Sequence, residues 1–479
     1  MKFKKLLVLT ALALTGTSAW AVEANVWTEP VLPAITEFID YQEVTSTDDG
    51  SEVYLYNVNT GMFFASGSYW GTRATLLGAD AGDKNGATGD VMIRGNKVWL
   101  LRSADAIASG EGVVEIKNYV PKHKGIHSAF AGGWDGVWTD NNSETHRYWK
   151  FIPMGDKTYR IQNYTFESST ERYLGWLGTS DYNLYLLEPK MNTDGLYGMD
   201  WKIVAPAVYE AWLEALPYKK WSEFEAYKKT YKMAMELKAA LEEAETKGVA
   251  VADQLAVYNN TASTQAQLKE AVATVKQAIA QSGMNGASAA NPVDATGFIK
   301  NSNFAYGDNS DWSGKPDKWV VNGTSLNAEL FNKDKIDVYQ KITGLTNGVY
   351  AVGASAFYRA GDPRNATNEV GPSYKNFVLS TEAARYAKLY AFNGTDTLFN
   401  AIVSPFYGAP SAKQNLGTEA TGNADSLLWI PNNMDGAEGY MHKLDLYKNK
   451  VFTTVEDGTL TIGMFKAKET IYDWLLADD

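Results

Sequence analysis

The chain predicts a multidomain, mainly β architecture, and three observations carry that expectation. Runs of alternating apolar and polar residues, read as strands, recur before residue 206 and again after residue 297. Between them, over 207–282, the apolar period changes from two to 3.6, which marks helices. Aromatic residues make up 13% of the 479, with 15 Trp and 28 Tyr. That surplus suits pleated sheets and ligand-stacking surfaces alike.

Residues 1–22 read as a secretory signal peptide. Lys2, Lys4 and Lys5 form its basic start, residues 6–14 its apolar core, and Ala19-Trp20-Ala21 a small-residue cleavage site. The core is too short to span a bilayer, and no other run reaches the ~18 apolar residues that a spanning helix needs. The mature chain is therefore expected to be exported, whether secreted, surface-associated or periplasmic, with no membrane insertion. There is no cysteine, which excludes a lipoprotein anchor, a Cys nucleophile and any disulfide. The net charge is −12, and removing the signal's three lysines takes it to −15. Nucleic acid is a poor partner for such an acidic chain.

Residues 47–206 form the first expected domain. A pattern recurs three times in it: Tyr54-Leu55-Tyr56-Asn57, then Val114-Glu115-Ile116-Lys117-Asn118, then Tyr159-Arg160-Ile161-Gln162-Asn163. Each unit runs on to a Trp in a strand (Trp99, Trp149, Trp201), expected to be buried. The Asn positions lie 61 and 45 residues apart, so the repeat needs insertions. Three β-rich repeats of this kind resemble a ricin-type β-trefoil; an unrelated β-sandwich is the alternative.

Residues 207–282 are expected to form a small helical spacer bundle. A short helix over 208–216 stops before Pro217. A long one follows, with Phe224, Tyr227, Tyr231, Ala234, Leu237 and Leu241 on one stripe and Gly248 at its end. A third piece spans 251–258. The cluster 259–264, NNTAST, supplies an N-cap for a helix whose stripe is Leu268, Ala271, Val272, Val275 and Ile279. The stretch 237–280 resembles helical spacers between modules of secreted Bacteroidota proteins. Residues 283–296, with the small, polar run SGMNGASAANP (282–292), read as a flexible linker.

The most informative stretch is 337–361, DVYQKITGLTNGVYAVGASAFYRAG. Two strands flank Asn347-Gly348, the dipeptide of a tight reversal, so a hairpin is expected. Ala351, Gly353 and Ser355 make one face of the second strand small, leaving room for a shallow groove. The opening KNSNFAYGD with Trp312 and Trp319, this stretch, and the late strand GTLTIGMFKAKETIYDW together resemble galactose-binding-like β-sandwiches of gut Bacteroidota proteins. The resemblance covers residues 298–474, within a domain expected over 297–479, and implies a jelly-roll fold of carbohydrate-binding-module type. It also implies a structural Ca²⁺ near Asn303, Asp308 and the terminal Asp pair, which is not adopted; no cofactor is expected. Strands are expected at 376–379 and 387–392. The chain stops at Ala477-Asp478-Asp479, so the last strand is expected to be truncated and to leave a sheet edge exposed.

Catalytic signatures are missing from the sequence. There is no G-x-S-x-G and no H-E-x-x-H, and His123 and His127 fall in a run with Pro121 and Gly125 that reads as loop. No carboxylate pair sits in a recognisable glycosidase motif. Sugar binding needs flat aromatics for the apolar face of a pyranose and amides or carboxylates for its hydroxyls. Such groups gather on glycine-rich loops: Trp134, Asp135, Trp138 and Asn141 in one repeat, Trp70 and Trp176 in the other two. In the C-terminal domain the candidates are Tyr358, Arg359, Tyr374 and Trp429. The expected function is that of an exported, non-catalytic, lectin-like glycan- or polysaccharide-binding protein. The alternatives are an extracellular structural or adhesion protein that contacts other cell-surface proteins and a carbohydrate-active hydrolase.

Overall fold

The computed structural model describes residues 25–44, 50–68, 73–76, 93–118, 126–128, 135–139, 146–164, 171–177, 183–189, 197–304, 306–314, 319–321, 327–332, 335–359, 386–402, 420–423, 428–431, 437, 441–442, 445–467 and 473–478. The signal peptide and the 376–379 strand lie outside them. The fold is mainly β with several sheets and few helices. It divides into two compact units, Thr28–Tyr231 and Lys232–Asp479, the latter with the stretch ending at Trp27.

In the first unit twelve strands form one sheet: β1 (Ser51–Asn57), β2 (Met62–Ser68), β3 (Arg73–Leu76), β4 (Val98–Leu101), β5 (Val113–Asn118), β6 (His127–Ser128), β7 (Asp135–Trp138), β8 (Tyr148–Gly155), β9 (Thr158–Asn163), β10 (Tyr173–Trp176), β11 (Leu184–Leu187) and β12 (Asp200–Val204). β1 pairs with both β4 and β12, so β1-β12-β9-β8-β5-β4 closes into a ring. The remaining strands make three hairpins, β2–β3, β6–β7 and β10–β11, joined through β7.

Alternation explains the ring. Val53, Leu55, Val98, Leu100, Val114, Ile116, Trp149, Phe151, Tyr159, Ile161, Trp201 and Ile203 point inward and are buried. The β8–β9 turn is tight because Asp156 and Lys157 both adopt positive φ, 48° and 53°.

The recurring Asn is structural in all three repeats. Asn163 pairs across the sheet with Trp149, Asn57 with Trp201, and Asn118 with Val98. All three amides are buried. Asn163 donates to the His146 carbonyl and Asn57 to the Gly198 carbonyl, each at 2.9 Å, while Asn118 accepts from Asn96 at 3.2 Å. The sequence reading of the closing Trp is corrected in one repeat. Trp149 and Trp201 fill the core, their indoles donating to Ile126 and Leu174 carbonyls at 2.7 and 2.9 Å. In the first repeat Val98 takes that place, and Trp99, one residue on, is half-buried on the other face.

Helix α1 (Ala104–Ser109) is short and capped by Ser103. Helix α2 (Pro206–Ala215) starts on Pro206 and stops before Pro217. Its Tyr209 stacks on Tyr54 at 3.5 Å, and its Trp212 packs edge-on against Phe63. Helix α3 (Trp221–Thr246) continues past the first unit, and Gly248 ends it at φ 69°. Helix α4 (Ala252–Asn259) buries Tyr258, whose carbonyl accepts from the Trp27 indole at 2.8 Å. Helix α5 (Gln265–Met284) opens with a Thr264–Gln267 capping box and buries the expected stripe. It reaches two residues into the stretch read as linker.

The rest of the second unit is built from β13 (Val320–Val321), β14 (Ala328–Phe331), β15 (Ile336–Thr343), β16 (Gly348–Arg359), β17 (Ala387–Phe392), β18 (Thr397–Ala401), β19 (Ala420–Asn423), β20 (Leu428–Pro431), β21 (Lys448–Val455), β22 (Thr459–Lys466) and β23 (Trp474–Asp478). One sheet runs β13-β14-β23-β16-β21 and another β15-β22-β17-β18; β19 and β20 pair separately. Val338, Leu389, Ile462 and Met464 from the four-stranded sheet share a core with Val352, Ala356, Leu475 and Ala477 from the five-stranded one, which makes a sandwich. Trp312 and Trp319 are buried in the same core.

Two expectations are overturned here. β15 and β16 do not form a hairpin: β15 pairs with β22, and β16 with β21 and β23. Their connection is an arch between the sheets. Gly344, at φ 79°, takes the left-handed turn, and the arch docks on the β21–β22 turn through Leu345 N–H to Gly458 O at 3.0 Å and Gly458 N–H to Asn347 Oδ1 at 3.1 Å. The last strand leaves no open edge. β23 lies between β14 and β16, paired on both sides and buried along its length.

Candidate functional site

The residues singled out in the sequence do not assemble into one site. Trp70, Trp134, Asn141 and Tyr374 lie outside the described residues, and Asp135 and Trp429 are placed only as positions in β7 and β20. Trp138 is half-buried, with the Arg73 guanidinium 5.1 Å from its ring centre. That guanidinium also lies over Tyr185 at 4.6 Å and donates to the Leu184 carbonyl at 2.9 Å. Gly136 is glycine because a Cβ there would collide with Arg73. Trp176 is half-buried against the core of the first unit, and Gly175 beside it has no room for a Cβ between Leu187 and Met199. Gly136 and Gly175 therefore answer to close packing.

Tyr358 and Arg359 are corrected as surface candidates: they are 2% and 4% exposed. Tyr358 donates to Asp473 Oδ2 at 3.0 Å, and Lys466 meets the same oxygen at 2.5 Å. Arg359 lies over the Trp474 ring at 5.1 Å. Both are held by residues from the far end of the chain.

The outward face of the four-stranded sheet gathers what the sequence left scattered. Cross-strand register sets three rows across it. The middle row is Tyr339, Gly463, Tyr390 and Phe399; one flanking row is Asp337, Phe465, Lys388 and Ala401; the other is Lys341, Thr461, Phe392 and Thr397. Strand alternation puts Val338, Gln340, Ile342, Leu389, Ile462 and Met464 inside and these rows outside.

Tyr390 crosses β22 above Gly463, and its hydroxyl donates to Asp337 Oδ1 at 2.8 Å. Burial, then that carboxylate, pushes the Tyr390 phenol well above the usual tyrosine range, so it stays a neutral donor. Phe399 leans on Tyr390 at 5.9 Å and on Phe465 at 6.4 Å and remains 50% exposed. Lys388 lies 5.0 Å from the Phe399 ring centre. Phe392, 38% exposed, and the exposed Asp337, Lys341 and Thr397 complete the face. An exposed ring on a buried aromatic support, flanked by charged and hydroxyl groups, can stack on an apolar ring face and hydrogen-bond its periphery. Among the described residues no group of three or more His, Asp or Glu could hold a metal. Asp308, near which the resemblance implies a Ca²⁺ that is not adopted, pairs with Lys269 at 3.2 Å.

The face could have been found in part from alternation, since VYQKIT and KLYAF place Tyr339 and Tyr390 opposite the core residues. Nothing local says that these two strands flank Gly463.

No protein-family model matches the sequence, and no curated relative does either. Among solved structures the chain is similar to TmCBM61 in complex with β-1,4-galactotriose, at 14% identity over 38% of this chain and 94% of that one, TM-score 0.20. It is also similar to chicken interleukin 1β, at 12% over 33% and 96%, TM-score 0.24, and to the designed three-fold symmetric protein ThreeFoil, at 13% over 32% and 98%, TM-score 0.21. At TM-scores this low the likenesses carry nothing about function. No described helix is long and apolar enough to cross a membrane.

Proposed function

We propose that this chain is an exported, non-catalytic glycan-binding protein. The reading rests on one observation, the outward row of the four-stranded sheet in which half-exposed Phe399 stands on Tyr390 and Phe465, between Asp337 and Lys388 on one side and Lys341 and Thr397 on the other. A pyranose has an apolar face that suits an aromatic ring and a rim of hydroxyls that suits such neighbours. The closed ring of six strands with three attached hairpins supports the β-trefoil reading of the first unit, and the two packed sheets support the galactose-binding-like reading of the second. Export is supported by the basic, apolar and small-residue order of residues 1–22.

Affinity electrophoresis and a glycan array with the full chain test the proposal. Phe399→Ala, at a largely solvent-open position, should keep the fold and weaken binding. Losing roughly 50 Å² of apolar contact at about 25 cal/mol per Å² is about 1.2 kcal/mol, or about eightfold. An array on which no glycan is retained would end the reading. Retention that Phe399→Ala leaves untouched would move the site elsewhere on the chain.

A further inference from the structure

A recess lies in the unit that carries the sandwich, between helices α3 and α5 and residues 293–303, 306, 310 and 311. Its volume is about 620 Å³, inside the range of roughly 300–1,000 Å³ of pockets that take small ligands. The walls are preformed. Gly297 is pressed so closely on α5 that a Cβ would collide with the Lys276 carbonyl. The segment is pinned to β15 by Gln340, which accepts from the Lys300 N–H at 3.1 Å and donates to the Lys300 carbonyl at 2.6 Å.

Each lysine on the wall of the recess already holds a carboxylate, Lys247 that of Glu243 at 2.8 Å among them. Lys276 meets Glu236 at 2.5 Å, Lys300 meets Glu270 at 2.7 Å, and Lys269 meets Asp311 at 2.6 Å. An anionic ligand would have to displace one of these carboxylates. A neutral ligand with many hydroxyls can instead donate to remaining lone pairs of the carboxylates and accept from the ammonium groups of Lys276 and Lys300, leaving every pair intact; Lys269, which already meets Asp308, Ser310 and Asp311, is saturated. Tyr306 also lines the recess but is only 8% exposed, with Lys269 5.3 Å from its ring centre. Val272, Ala273, Val293 and Ile299 add apolar wall.

We infer that this recess is a separate binding site for a short neutral oligosaccharide, distinct from the outward sheet face. The inference rests on the glycan-binding reading but uses none of the residues of that face.

The test is calorimetric titration of the full chain with uncharged β-1,4-linked tri- to hexasaccharides of glucose, xylose and mannose. Phe399→Ala protein, with the sheet face weakened, should still bind one of them saturably. Adding Ala273→Trp, which fills the recess, should lower that residual affinity at least tenfold with the thermal midpoint retained. The near-isosteric Glu236→Gln, which disturbs packing less, should weaken it several-fold in the same background. If wild-type protein binds a neutral oligosaccharide and Phe399→Ala binds none, the recess is overturned while the sheet face stands. Binding by the recess of uronic-acid oligomers alone would overturn the ligand class. A wild-type protein that binds no oligosaccharide overturns both sites.

Discussion

The hydroxyl of Tyr390 reaches Asp337 at 2.8 Å although the two residues lie on strands that are not neighbours. β22 runs between them, and the crossing is open because its residue there is Gly463. A Cβ at 463 would collide with the Val338 carbonyl and stand 2.8 Å from Tyr390 Cε1 and 2.9 Å from Tyr339 Cβ. Gly463→Ala should therefore lift Tyr390 off the sheet and cost about 1–3 kcal/mol, the usual range for overpacking. Urea unfolding checks the loss, and glycan binding should fall with it because Phe399 loses its support. Tyr390→Phe keeps the ring and should leave binding within about threefold, since the aromatic support under Phe399 is retained.

Arg73 poses the same question in the first unit. Its guanidinium is buried between Trp138 and Tyr185 and occupies the space that Gly136 leaves. Gly136→Ala should lower the thermal midpoint of that unit by several degrees, and Arg73→Met should recover part of the loss in the double variant because the shorter, flexible chain can yield. Calorimetry of the four proteins checks the coupling. Strictly additive effects would mean that the two residues do not contest the space.

How much of this could be read in advance follows the range of each interaction. The helices were legible because their causes are local. The Thr264–Gln267 box, Gly248 and the Leu268–Ile279 stripe all lie within a few residues of what they control. Strand faces were legible too, since Val338 and Ile342 point inward as alternation requires. Strand partners were not. Asn347-Gly348 reads as a hairpin turn, yet β15 and β16 find better partners in β22 and in β21 and β23, which lie far on in the sequence, as Ser355 with Lys448 and Tyr339 with Gly463. The same distance hid the site, because Tyr339, Tyr390, Phe399 and Phe465 meet only once the sheet is assembled. Trp99 fails by a single residue. The pairing of Asn118 with Val98, not with Trp99, decides which of them faces the core.

Buried tyrosines make the first unit sensitive to alkali. Burial pushes Tyr41 up to about 12, and burial followed by the hydrogen bond to Glu171 pushes Tyr173 up to about 12, from an ordinary value of 10.0. These folded-state values lie above the unfolded ones. The stabilisation is thus fully present below pH 10, and it is lost as pH rises from 10 through 12, where the unfolded chain releases protons that the folded one keeps. Urea midpoints should be level between pH 8 and 9.5 and fall steadily from pH 10 to 12. Tyr41→Phe should flatten part of that fall. A fall that begins near pH 9, or a slope unchanged in the variant, would assign the effect to other groups.

Lys466 and Asp473 test how the sandwich tolerates charge in its interior. Their side chains are 0% and 1% exposed and 2.5 Å apart, and Tyr358 donates to the same carboxylate oxygen. Two ions removed from water keep little net benefit from their attraction, but removing one strands the other. Lys466→Met should therefore cost about 3–5 kcal/mol, because it takes this ammonium away from the buried Asp473 carboxylate. Lys466→Met with Asp473→Leu should cost much less than the single change, since no charge is left behind. In that double variant the Tyr358 hydroxyl loses its hydrogen bond to Asp473, so adding Tyr358→Phe should cost little further. Urea denaturation of the three proteins orders them. If the double variant is as unstable as Lys466→Met alone, the pair contributes specific packing that apolar side chains cannot replace, and its place beneath the strand ends is then a matter of shape more than of charge.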